Sequence, residues 1–134
     1  DCTAQRDAAF ATIRGLAERV LFSTVIFYLN DAGAKLGKAS PTPADLASGL
    51  HSYGETEAFV HGWRMLPQAS RTITDVQLDE ILALIGAPVT GDVTSYKLVT
   101  SGATELPKLT QAITRIAQIY GFSAQQIEDF KVAN

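Results

Sequence analysis

The sequence predicts an all-α fold: a bundle of four principal helices closed by a short C-terminal one. Three observations carry this. Apolar residues recur at helical spacing over four long segments. Thr or Ser followed three residues later by Gln marks two helix starts, at Thr74 and Ser123. Gly or Pro stands where each segment should stop.

The first helix is expected from Thr3 to Ala34, with Phe10, Ile13, Ala17, Val20, Leu21, Thr24, Val25, Tyr28 and Leu29 at helical spacing. Val20 to Tyr28 is rich in β-branched and aromatic residues, which local propensity allows as a strand. No turn signal precedes it, so one continuous helix is the reading, ended by Gly33 or Gly37. The second helix opens at "SPTPADL", where Thr42 caps, Pro43 takes the first helical position and Asp45 complements the dipole. It should reach Leu66 and stop before Pro67.

The third helix lies in "ITDVQLDEILALIGAP", with Val76, Leu78, Ile81, Leu82 and Ile85 on its apolar face and Gly86 and Pro88 closing it. "VTGDVTSYKLVTSG" reads as a connecting loop. The fourth helix runs from Thr104 to Tyr120, burying Leu106, Leu109, Ile113, Ile116 and Tyr120, with Gly121 as its cap. "SAQQIEDF" then makes the short final helix. At 134 residues the chain suits one domain, residues 1–134.

Composition narrows the function. Apolar residues make up 46% and charged residues 19%, ordinary for a packed domain. A net charge of −3 and a pI near 5.2 give no basic footprint for nucleic acid. Cys2 is the only cysteine, which excludes an intrachain disulfide and a cysteine-based zinc site. The most apolar run, Val20 to Leu29, is half the ~20 residues of a membrane span. The chain starts without Met and enters helical sequence at once, as expected of a mature, truncated or proteolysed product.

Chemistry concentrates in "GLHSYGETEAFVHGW", residues 49–63, which holds both histidines and the only tryptophan. On a regular helix Ala47, His51, Gly54, Glu55, Ala58, His61, Gly62 and Met65 share an arc roughly 120° wide. Leu46, Leu50, Tyr53 and Val60 form a second, apolar arc, and Ser48, Ser52 and Thr56 a third. A helix with three such arcs is expected to be enclosed on more than one side.

Two readings of the first arc stay open. Its small residues could let a neighbouring helix approach, with His51 and Glu55 satisfying each other in that contact. Alternatively His51 and Glu55, at i and i+4, donate two ligands to an iron or zinc ion, with further donors from another helix, Asp7 or Glu18 among them. His61 lies about 15 Å along the axis from His51, too far to share an ion; Glu57 and His61 suit a surface ion pair. No G-x-S-x-G elbow, H-E-x-x-H or P-loop occurs, so no catalytic residue is assigned.

The blocks "VIFYLNDA", "LHSYGETEAFVHGWRM", "ITDVQLDEILALIG" and "AITRIAQIYGFSAQQIEDF", in that order, resemble an imelysin-like domain family of unknown function from bacterial surface lipoproteins. The match runs from about Ala17 to Phe130 and covers the C-terminal half of that longer family. Its leucine-histidine and following glutamate land on Leu50, His51 and Glu55. Imelysins proper are more distant. Their G-x-H-x-x-E motif is matched here by Gly49 and His51, but Glu55 follows one residue late.

The resemblance implies a bacterial cell-envelope protein, periplasmic or at the cell surface and lipid-anchored through a missing N-terminal segment. It implies a non-enzymatic binding role in iron, haem or nutrient uptake, with His51 and Glu55 as the metal pair. The partner it implies is the missing N-terminal half or another envelope protein. Two alternatives are a metal-dependent peptidase of imelysin type and a purely structural or interaction module.

Overall fold

The computed structural model describes residues 2–132, and among them the chain forms six α-helices and no strand. Helix α1 spans Thr3–Leu36, α2 Pro43–Arg64, α3 Asp75–Leu84, α4 Lys97–Thr100, α5 Gly102–Tyr120 and α6 Ala124–Asp129; a 3-10 turn lies at Gln68–Ser70. The fold is all-α, with α1, α2, α3 and α5 the principal helices and α6 the short closing one. The β-branched stretch of α1 stays helical because Phe22, Val25, Ile26 and Leu29 fall on one face, which packs fully into the core.

Caps set the boundaries. Thr42, Thr74 and Ser123 each accept from the backbone N–H three residues on, and Asp45, Gln77 and Gln126 reach back to the N–H of the capping residue. Lys38 and Asp45 lie 2.6 Å apart, and the lysine is the main reason the Asp45 carboxyl sits far below the usual range. Gly121, at φ 62°, ends α5 and lets Phe122 double back to the Ala117 carbonyl.

Several boundaries differ from expectation. Helix α2 stops at Arg64, two residues early, because Pro67 permits only the 3-10 turn beyond it. Helix α5 starts at Gly102 and carries Pro107, whose ring removes the hydrogen bond to the exposed Ala103 carbonyl. The expected loop after Pro88 holds the four-residue α4, whose Leu98 is buried.

The core lies where α1, α2, α3 and α5 meet. Phe22, Ile26 and Leu29 face Tyr53 and Val60 of α2, Leu78, Ile81 and Leu82 of α3, and Leu109, Ile113 and Ile116 of α5. The α1–α2 contact is the most extensive, followed by α1–α5. Among the described residues no helix is long and apolar enough to cross a membrane.

Phe10, Ile13 and Val20, read at helical spacing on α1, and Val76, read on the apolar face of α3, lie outside the core: they are 56%, 60%, 65% and 67% exposed. Val20 points away from the buried row of α1, and for Phe10 and Ile13 the reason is length. The 34 residues of α1 extend about 51 Å, whereas the 22 of α2 cover about 33 Å. The first half of α1 therefore runs beyond its neighbours. Phe22→Ala should cost about 3–5 kcal/mol and Val76→Ala no more than about 0.5, measured by urea unfolding.

Candidate functional site

Helix α2 turns its hydroxyl arc, not its histidine arc, toward α1. Gly49 allows this approach, since a Cβ there would come within 2.8 Å of the Leu36 side chain. Ser52 and Thr56 are buried yet satisfied, each donating to the carbonyl four residues back, at 3.2 Å. Ser52 also donates to Asp31, which Lys35 holds at 2.6 Å while donating to Ser48. Short hydroxyls that bond their own helix can enter a close contact; an imidazole and a carboxylate cannot do so without external partners.

The first arc consequently faces solvent. Ala47, His51, Gly54, Ala58, Gly62 and Met65 are exposed, Met65 to 83%. His51 Nε2 stands 3.8 Å from Glu55 Oε1, with side chains 71% and 36% exposed. The two residues do face each other across one turn, but on the outside of the bundle. Among the described residues no group of three His, Cys, Asp or Glu side chains could hold a metal ion, and no ion pair joins Glu57 to His61.

The two suggested donors are placed elsewhere. Asp7 is exposed and pairs with Arg6 at 2.8 Å. Glu18 is 1% exposed, and its carboxylate accepts from Thr72 N at 2.7 Å, Ile73 N at 2.8 Å and the Tyr120 hydroxyl at 2.7 Å. Burial, then the Glu18 hydrogen bond and charge, push the Tyr120 phenol well above its usual range. Arg71 closes the same loop, donating to the Leu66 and Ile73 carbonyls and pairing with Asp75, while Arg64 binds Asp79 at 2.9 Å.

Two grooves flank α5, neither holding His51 or Glu55. One, of about 810 Å³, lies against α1 and is lined by Leu29, Gly33, Leu106, Leu109 and Ile113. The other, of about 770 Å³, lies against α3 beside Glu80, Lys108 and Arg115.

The feature that the sequence pattern did not single out is the outer face of α1. Phe10, Ile13, Leu16 and Val20 form an exposed apolar stripe, Leu16 to 59%. Its centre lies roughly 175° around the axis from the buried row of Phe22, Val25, Ile26 and Leu29. Two apolar rows that far apart cannot share one core, and that angular separation is the signal in the sequence. Compared with protein-family models, with curated proteins and with solved structures, the chain matches none.

The Glu18 cluster makes two predictions. Glu18→Gln opposes an amide N–H₂ to buried donors, and should cost on the order of 3 kcal/mol in chemical unfolding. The second concerns alkaline pH. Burial pushes the Tyr53 phenol, which donates to the Ile85 carbonyl, up to about 12, and Tyr120 is raised as well. An unfolded tyrosine ionises near 10, so the stability from both is complete below about pH 10 and falls above it. Tyr53→Phe should flatten the decline between pH 10 and 12 in unfolding curves; an unchanged slope would refute this.

Proposed function

We propose that this chain is a non-enzymatic helical binding domain of a bacterial cell-envelope protein, acting in iron, haem or other nutrient uptake by holding a partner. The observation that carries this reading is the outer face of α1, where Phe10, Ile13, Leu16 and Val20 are each more than half exposed. A contiguous apolar surface on an extended helix is a binding surface far more often than free decoration. A helix arm of that length is also marginal in water unless something packs against it.

The envelope location, the lipid anchor on a preceding segment and the link to iron or haem rest on the resemblance of the four sequence blocks. So does the partner, the N-terminal half of the same protein or another envelope protein. The peptidase reading needs a third donor beside His51 and Glu55, and no observation favours it.

A second reading, metal binding, has one observation in its favour: His51 and Glu55 stand 3.8 Å apart with their side chains 71% and 36% exposed. Two donors make half of a four-ligand zinc site, so a partner would supply the rest.

Photo-crosslinking in intact cells tests the first reading, with benzoylphenylalanine at Ile13 and, as the control, at Gly54. Adducts from Ile13 alone are expected; adducts from Gly54 alone would move the binding face to α2. Calorimetric titration with zinc or iron tests the second. The chain by itself should bind far below stoichiometry, with the residual lost in His51→Ala, a variant whose stability should change by less than about 0.5 kcal/mol.

A further inference from the structure

Resting on the binding role of the α1 face, we infer that its occupant is a second copy of this chain, packed antiparallel along α1. The face repeats with alternating steps of three and four residues: Arg6, Phe10, Ile13, Ala17, Val20, Thr24, Phe27 and Asp31. That is the spacing of a coiled-coil seam. All of these residues are exposed or half-buried, although they belong to a helix whose opposite face is fully packed.

The seam is complementary to itself in one register. With the two-fold axis between Ala17 and Val20, Ala17 meets Val20 of the other copy, Ile13 meets Thr24, and Phe10 meets Phe27. The next layer outward sets Arg6, paired among the described residues only with the adjacent Asp7, against Asp31, whose Oδ2 already accepts from Lys35 and Ser52 and whose Oδ1 is left for the other copy; opposite charges thus meet at both ends of the contact. Sliding by one heptad sets Arg6 against Thr24 in one direction and Ile13 against Asp31 in the other. Each slide loses the charge match, and the second places a carboxylate on an apolar residue.

The same register covers what the single chain leaves bare. Residues 3–17, which run beyond α2, would lie beside residues 20–34 of the other copy, the part of α1 along which α2 packs. Each projecting arm thereby gains a neighbour on its outer face, where its own chain leaves Phe10 and Ile13 exposed.

Sedimentation and disulfide trapping test this with the chain as it stands. Sedimentation over a concentration series should give a dimer. Ile13→Asp should give a monomer that still unfolds cooperatively, and Arg6→Glu should weaken the dimer by about tenfold. In a Cys2→Ser background, mixing Ile13→Cys with Thr24→Cys should yield the mixed disulfide. A disulfide between two Ile13→Cys chains would overturn the antiparallel pairing. A monomer at every concentration, without the mixed disulfide, would overturn the dimer; adducts of Ile13 with a different protein would then still support the binding reading, and their absence would remove both.

Discussion

Glu18 sits where α1 passes out of the bundle, and its carboxylate collects three donors from two remote parts of the chain. Thr72 and Ile73 offer backbone N–H groups from the segment that leads into α3, and Tyr120 offers its hydroxyl from the last turn of α5. A carboxylate this deeply buried is tolerable only because every donor is in place. Around it the fixings reinforce one another. Tyr120 stacks on Phe22 with ring centroids 5.0 Å apart, and Arg19 donates to the Tyr120 carbonyl at 2.6 Å while lying 4.8 Å from the Phe122 ring centre. This one polar junction sets the positions of α1, α3 and α5 relative to each other.

The junction also divides α1 into two parts with different obligations. C-terminal to Glu18 the helix is clamped: Asp31 and Lys35 tie it to α2 through Ser48 and Ser52, and Phe22, Val25, Ile26 and Leu29 are buried. N-terminal to Glu18 the segment Ala69–Thr72 borders Ala11, Arg14 and Gly15 on the inner side, and the bulky Phe10, Ile13 and Leu16 turn outward. A helix held rigidly at its base presents that outward row in a fixed orientation, which lowers the ordering cost of an encounter. Structure and proposed function meet at this boundary.

Much of the fold was legible because the relevant signals are local. The Thr74–Gln77 and Ser123–Gln126 boxes, Pro43 and the Gly121 cap are decided within a few residues, and each recurs in the structure where the sequence placed it. The candidate site was less legible because burial is a tertiary property. On α2 three arcs competed, and the one chosen by Gly49, Ser52 and Thr56 wins through close backbone approach, which no hydropathy pattern reveals. Glu18 read as a charge between two arginines; its donors lie 54 to 102 residues away. Helix α4, four residues long, had too little pattern to be seen.

Exposed His51 and Glu55 and the exposed row on α1 pose different physical problems. A solvated imidazole and carboxylate lose nothing by facing water, so their position demands no partner; any role for them must come from what a ligand gains. The α1 row is the reverse. Phenylalanine, isoleucine, leucine and valine are more than half exposed there, and each stays in water at a free-energy cost that contact with another apolar surface would remove. The driving force for association therefore resides in α1, and the charges of Arg6 and Asp31 at the two ends of its seam can select which partner and which register satisfy it.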